Sequence, residues 1–362
     1  MVVTARSEDS STYRRGKVKI AVAMSGGVDS SVAAALLKEA GHEVSGVTMR
    51  LTDDTHAGTY AADTARRLGL PHRVIDLRDI FTATIIDYFC GEYGRGRTPN
   101  PCILCNRYIK FGALWEAAKK AGAEMLATGH YARIEKSRRG KYILKRGRDG
   151  NKDQSYFLCQ LTQEQLSRTM FPVGNLTKDE VRKIAREMGL PAMARPESQE
   201  ICFIPDNDLA GFLRAHTPEA ERPGAILDEA GRAIGRHRGI ASYTIGQRRG
   251  LGIASTEPLY VTGIVAEQNT VIAGTRDRTY GTELTAGGLN WIGVGAPEHP
   301  LEVKAKIRYR HAEAAATVTP VGDDTVRVIF KEPQAAITPG QAVVFYDGAR
   351  VMGGGTIAKK GG

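Results

Sequence analysis

The chain has 362 residues, 42% apolar and 25% charged, with a formal net charge of +10 and an isoelectric point near 9.3. This length exceeds one ordinary core and predicts two or three domains, and no apolar run approaches the ~20 residues of a membrane helix, which excludes an integral membrane protein. The opening residues Met1 to Lys19 lack the apolar stretch of a secretion signal and read as a short frayed tail on a cytoplasmic protein, while the positive charge favours an anionic partner.

From residue 17 to 130, apolar strand-like runs alternate with helical patterns, as an open parallel sheet covered by helices requires. Strands are expected at 17–24, 43–51, 73–77 and 124–128, and helices at 30–40, 60–68, 80–89 and 107–120. In the first helix Val32, Ala33, Leu36, Leu37 and Ala40 line one face, and Gly41 stops it. A capping box, Thr177-x-x-Glu180, starts a further helix that ends at Gly189-Leu190-Pro191. After about residue 218 glycine-punctuated hairpin patterns take over, with Asp228–Gly231 and Gln268-Asn269 as turns, and residues 284–362 read as a small β-barrel. Within it Leu301 to Arg310 alternates, with Val303, Ala305, Ile307 and Tyr309 on one face and Lys304, Lys306, Arg308 and Arg310 on the other. Gly353-Gly354-Gly355 reads as a turn or bulge between barrel strands. The expected architecture is α/β: a doubly wound parallel-sheet domain at 1–217, a small β-rich domain at 218–283, and the barrel at 284–362.

Between the first strand and the first helix lies Ala23-Met24-Ser25-Gly26-Gly27-Val28-Asp29-Ser30-Ser31. Backbone N–H groups and the helix dipole favour an anion there, and two glycines let a phosphate come close. The segment is neither a Gly-Lys-Ser/Thr P-loop nor G-x-G-x-x-G, so nicotinamide or flavin binding has no support. It resembles the S-G-G-x-D-S/T pyrophosphate loop of the ATP pyrophosphatase superfamily. That resemblance implies an enzyme that binds ATP with Mg²⁺, splits it between the α and β positions, and adenylates a substrate oxygen.

Five cysteines, Cys90, Cys102, Cys105, Cys159 and Cys202, make an odd count that argues against a disulfide framework. Cys102 and Cys105 form a C-x-x-C between a glycine- and arginine-rich loop (Gly91, Gly94, Arg95, Gly96, Arg97) and the helix expected from Arg107. A helix N-terminus among cations lowers a thiol pKa, so Cys105 is a candidate thiolate. Cys202 lies in Glu197-Ser198-Gln199-Glu200-Ile201-Cys202-Phe203-Ile204-Pro205, expected as an exposed loop. Half a zinc site, a redox pair, or three ligands to an iron-sulfur cluster are all readings of Cys102, Cys105 and Cys202. Cys90 and Cys159 sit in apolar surroundings and read as inert core thiols.

Across its length the chain resembles the bacterial tRNA-uridine 2-sulfurtransferases, or tRNA-specific 2-thiouridylases, through SGGVDSS, TPNPCILCNRYIKF, ATGHYAR, NKDQSYFL, SQEICFIP, YTIGQRRGLG, KIRYR, ITPGQAVVFYDG and GGGTI. The resemblance implies an ATP site on Ala23, Met24, Ser25, Gly26, Gly27, Val28, Asp29 and Ser30, with Met49 and Gly129. It implies a nucleophile at Cys105 and a persulfide carrier at Cys202. Contacts to the target base fall on Asn100, Pro101 and Cys102, and tRNA contacts on His130, Lys152, Asp153, Gln154, Arg308, Tyr309 and Gln341. Many members have an aspartate where this chain has Cys102, so a carboxylate role is not available there. That cysteine also strengthens the alternative of a [4Fe-4S] cluster on Cys102, Cys105 and Cys202. The implied activity is 2-thiolation of the wobble uridine by a monomer that meets tRNA and a sulfur-donor or persulfide-relay protein. Its alternatives are a thiolase or amidating ligase acting on another tRNA base, and a non-catalytic tRNA-binding protein.

Overall fold

The computed structural model describes residues 16–53, 58–191, 201–217 and 222–361; the expected N-terminal tail before residue 16 and the 197–200 part of the Cys202 motif lie outside them. The chain divides into two units, one from residues 16–81 and 106–191, the other from 82–105 and 201–361.

The first unit is built on a five-stranded parallel sheet of β1 (Lys19–Ala23), β2 (Glu43–Arg50), β3 (His72–Asp76), β4 (Met125–Thr128) and β7 (Thr169–Met170), in the order β3-β2-β1-β4-β7. An antiparallel hairpin of β5 (Ala132–Lys136) and β6 (Tyr142–Arg146) follows β4. Helix α1 (Val28–Glu39) begins two residues earlier than its apolar pattern suggests, because Gly27 occupies the extended N-cap position. Its Ala33, Ala34 and Ala35 are fully buried, and small side chains let α1 lie in one core with Ile20 and Val22 of β1 and with Val181 and Ala185. Those last two belong to the helix Lys178–Glu187, whose Thr177 and Glu180 make both halves of the capping box, and which ends at Gly189 with φ +59°. Helix α2 (Thr59–Arg67) buries only Ala61, Thr64 and Ala65.

The second unit departs from expectation around the cysteines. The helix expected to end at Phe89 continues through Asp87–Gly94, so Gly91 and Gly94 are helical rather than part of a loop. The next helix starts at Pro101, six residues before Arg107; Asn100 is the extended N-cap and proline's fixed φ suits the first helical position. Cys102 and Cys105 therefore lie inside a helical run, which becomes π-helical over Cys105–Ala113.

A four-stranded sheet of β8 (Gly224–Leu227), β9 (Ala233–His237), β10 (Tyr260–Val265) and β11 (Thr270–Gly274) has the order β10-β11-β8-β9. Both expected turns are present: Asp228 accepts from the Ala230 and Arg232 N–H groups, and Asn269 adopts φ +49°. The last six strands, β12 (Tyr280–Trp291), β13 (Leu301–Lys306), β14 (Ala314–Gly322), β15 (Thr325–Ala335), β16 (Ala342–Asp347) and β17 (Arg350–Lys360), close into a barrel through β12–β17 pairing. Val303, Ala305 and Ile307 point into its core as the alternation requires. The strand nevertheless stops at Lys306: Arg308 turns to donate to the Ala335 carbonyl at 3.0 Å, so the basic row does not extend to Arg310. Gly353 lies within β17, where a Cβ would meet the Asn290 carbonyl oxygen at 2.3 Å; the glycines permit close strand approach beside a register shift.

Candidate functional site

In the sheet order, β2 and β3 lie on one side of β1 and β4 on the other, so the C-terminal ends of β1 and β4 flank a topological switch point, where open α/β sheets bind ligands. Most of the expected nucleotide residues lie at strand ends there. Met24 to Gly27 connects β1 to α1, Met49 is the penultimate residue of β2, and Gly129 follows β4.

The loop is held from within. Gly26 takes φ +78°, a conformation suited to glycine, and the Ser30 and Ser31 hydroxyls donate to the Gly27 carbonyl at 3.1 and 2.9 Å. The Ser25 N–H reaches the Ser30 hydroxyl at 3.3 Å. The Thr48 hydroxyl donates to the Met24 carbonyl at 2.7 Å and lies 2.9 Å from His72 Nε2. Since that hydroxyl proton is committed to Met24, the His72 nitrogen is the donor to Thr48; burial lowers the His72 pKa. The first N–H groups of α1 are thus presented at a helix start, where a helix has no acceptor of its own for them. Gly129 packs so closely on this turn that a Cβ would lie 2.6 Å from the Asp29 carbonyl carbon and the Ser30 nitrogen.

Asp29, the loop's carboxylate, is tied by two side chains absent from the expected set. Lys178 Nζ donates to both carboxylate oxygens at 2.7 and 2.8 Å, and the Tyr131 hydroxyl donates to one at 2.8 Å. The Lys178 side chain is 8% exposed and its ammonium lies 5.9 Å from the Tyr131 ring centre. A lysine in the first turn of a helix opposes the helix dipole, and this mismatch was the signal in the sequence.

His130 is buried between Phe111 and Phe171, with ring centres at 6.1 and 5.8 Å. One ring nitrogen bonds the Thr128 hydroxyl at 2.7 Å; the other is 3.5 Å from Lys110 Nζ. Burial, and secondarily the Lys110 charge, hold its pKa well below the ordinary histidine value, so it is a neutral imidazole. Of the three neighbours expected to meet tRNA, Asp153 is buried and accepts from Gly147 N–H, Ser155 N–H and the Ser155 hydroxyl, while the Gln154 side chain accepts from Tyr131 N–H. Lys152 is half-buried. Cys159 is buried and its thiol is pushed up to about 12, in keeping with an inert core thiol.

In the second unit Cys102 and Cys202 are exposed and Cys105 is half-buried. The arginines expected to act as cations around the cysteines are engaged elsewhere: Arg97 donates to both oxygens of buried Glu92, one at 2.7 Å, and Arg95 reaches the same carboxylate at 3.3 Å. Cys202 sits on a turn closed by Ile204 N–H to the Ile201 carbonyl at 3.1 Å. The next residue, Phe203, anchors the turn by packing edge-on to Phe89 at 5.3 Å and against Phe212 at 5.4 Å. Gln341 donates to the Thr98 carbonyl at 2.9 Å, two residues before Asn100, and Thr98 N–H bonds the Pro339 carbonyl at 2.9 Å. Tyr309 carries Lys306 over its ring at 5.6 Å. Among the described residues no three His, Cys, Asp or Glu side chains gather as a metal site, so Cys102, Cys105 and Cys202 do not fit a cluster in this arrangement. Nor, among these residues, is any helix long and apolar enough to cross a membrane.

A Gly-rich loop at the switch point of a parallel sheet, with the S-G-G-x-D-S order of residues, defines a PP-loop nucleotide-binding domain of the ATP pyrophosphatase type. The families described as tRNA methyl transferase HUP domain, tRNA methyl transferase PRC-barrel domain and aminomethyltransferase β-barrel domain match residues 18–206, 210–275 and 281–357. A tRNA-specific 2-thiouridylase MnmA of Symbiobacterium thermophilum is 50% identical over 359 residues, covering 94% of this chain and 92% of its own. Another, of Acetivibrio thermocellus, is 49% identical over 356 residues, covering 94% and 99%. The chain belongs to the bacterial tRNA-specific 2-thiouridylase family.

Proposed function

We propose that the protein catalyses ATP-dependent 2-thiolation of the wobble uridine of tRNA. The observation that carries this reading is the near-full-length identity of about half its residues to relatives described as tRNA-specific 2-thiouridylases. The phosphate loop and the exposed cysteines supply the chemistry that such a reaction needs.

In the first unit, the N–H groups at the start of α1 bind and orient the triphosphate of ATP. Mg²⁺ bound with ATP would neutralise part of the phosphate charge. The uridine C2 oxygen attacks the α-phosphorus, the bond to the β-phosphate oxygen breaks, and pyrophosphate leaves. The C2 oxygen, now esterified to AMP, has become a leaving group.

In the second unit, exposed Cys202 carries a persulfide loaded by a sulfur-donor or relay protein. Its terminal sulfur bonds to C2. Cys105, as thiolate, attacks Cys202 Sγ, the persulfide S–S bond breaks, and a Cys105–Cys202 disulfide forms while the sulfur stays on C2 and AMP departs. An external dithiol reduces the disulfide and resets the enzyme. Asn100, Pro101 and Cys102, at the start of the helix that carries Cys105, are proposed to receive the target base. Lys152, with the backbone beside Asp153 and Gln154, and Arg308, Tyr309 and Gln341 are proposed to meet tRNA. His130, being neutral and buried, serves that surface by shaping it rather than as a cation.

Cys105→Ser, loaded with persulfide on Cys202, tests the thiol roles. Single-turnover thiolation is expected to fall by at least a hundredfold while pyrophosphate release persists; full thiolation by this variant would refute the assignment.

A further inference from the structure

Asp29 is the one acidic residue between Ser25 and Ser31, and it sits in the first turn of α1, beside the place where the phosphates are read to bind. An anionic triphosphate and a bare carboxylate at that distance repel one another. In this structure both oxygens of Asp29 accept from Lys178 Nζ, at 2.7 and 2.8 Å, and one also accepts from the Tyr131 hydroxyl at 2.8 Å. Lys178 reaches Asp29 from the start of the helix Lys178–Glu187, whose first N–H is fixed by the Asp149 carboxylate at 2.9 Å. Its position opposes the dipole of its own helix, and its side chain is 8% exposed. Local helix stability therefore does not account for this lysine, whereas neutralising Asp29 does.

We propose that Lys178 is a positioning residue for ATP binding: it cancels the charge of Asp29 and fixes its carboxylate, so that the phosphate loop meets the triphosphate without an uncompensated anion. Tyr131 shares the hold on Asp29 and packs against the lysine. This rests on the reading of residues 25–31 as an ATP loop and assigns a residue outside that loop to its electrostatics.

The test is equilibrium binding of α,β-methylene ATP with Mg²⁺ to the full chain, with thermal unfolding as a control. Lys178→Met keeps much of the stem's length and removes the charge; it is expected to weaken binding at least tenfold. Adding Asp29→Asn removes the anion left behind, and the double variant is expected to bind at least threefold more tightly than Lys178→Met. A purely structural loss at Lys178 is not repaired by that second change. The proposal is overturned if Lys178→Met binds as tightly as the unaltered protein, or if the folded double variant binds no better than Lys178→Met. If Lys178→Met fails to fold, the folded double variant is compared with Asp29→Asn alone, in which the lysine has no anion to cancel; binding within threefold of Asp29→Asn is expected, and a weaker double variant overturns the proposal. Failure of the unaltered protein to bind the analogue would instead remove the ATP-loop reading itself.

Discussion

Replacing Gly129 with alanine tests the geometry of the phosphate loop with the addition of one methyl group. A Cβ at 129 would lie 2.6 Å from the Asp29 carbonyl carbon, 2.6 Å from Ser30 N and 3.0 Å from Asp29 Cβ. Two of these three atoms are backbone, so no rotamer change relieves the clash, and restoring ordinary contact requires the first turn of α1 to move by roughly 1 Å relative to β4. Overpacking of this kind costs about 1–3 kcal/mol. If the bound state must restore the original turn, that cost appears in nucleotide affinity as roughly a 5- to 150-fold loss. Titration with α,β-methylene ATP measures it, with thermal unfolding as the internal reference for intact folding. Gly295→Ala is the control, because a Cβ there meets nothing within 4 Å and its φ lies outside the left-handed region. Undiminished nucleotide binding by Gly129→Ala would refute the close approach of the Thr128-Gly129 corner to the loop as a determinant of the site.

The folded-state pKa of His130 lies well below its unfolded value of 6.5, so the unfolded chain takes up a proton that the folded chain refuses; its stabilising contribution is present above pH 6.5 and is lost as pH falls below it. Unfolding free energies from urea titration are expected to decline from pH 6.5 downward with a slope of up to about 1.4 kcal/mol per pH unit from this group, with His72 adding in the same sense. His130→Gln should flatten that slope, and an unchanged slope would count against a neutral buried imidazole. For the cysteines, iodoacetamide at pH 8 followed by peptide mass mapping is expected to modify exposed Cys102 and Cys202 and to spare buried Cys90 and Cys159. The Cys159 thiol, pushed up to about 12, is ionised in only roughly one molecule in 10⁴ at that pH, and its rapid labelling in folded protein would contradict the burial.

The parallel sheet was legible because β1 and β2 are apolar runs and α1 carries a helical face, and the loop between them has a residue order with few other meanings. The capping box at Thr177 and Glu180 likewise located a helix from purely local chemistry. What local chemistry misses is long-range pairing. Lys178 lies 149 residues from Asp29, and nothing near either residue names the other; only the unfavourable placement of a cation at a helix start hinted at a distant partner. The cysteine helix starts earlier than its sequence suggests for the opposite reason. The glycines before it suggested a loop, although proline at position 101 after Asn100 is itself a helix-start signal. The alternating row ending at Arg310 failed where Arg308 found the Ala335 carbonyl, a tertiary bond that periodicity cannot register.

Unmodified tRNA can be incubated with the enzyme, ATP, Mg²⁺ and a persulfide donor, then digested to nucleosides for mass analysis. The expected product is 2-thiouridine at the wobble position, with AMP and pyrophosphate formed in step and no product without ATP. A competent reaction that consumes ATP yet leaves the wobble uridine as oxygen, or that places sulfur on another base, would contradict the proposed thiolation.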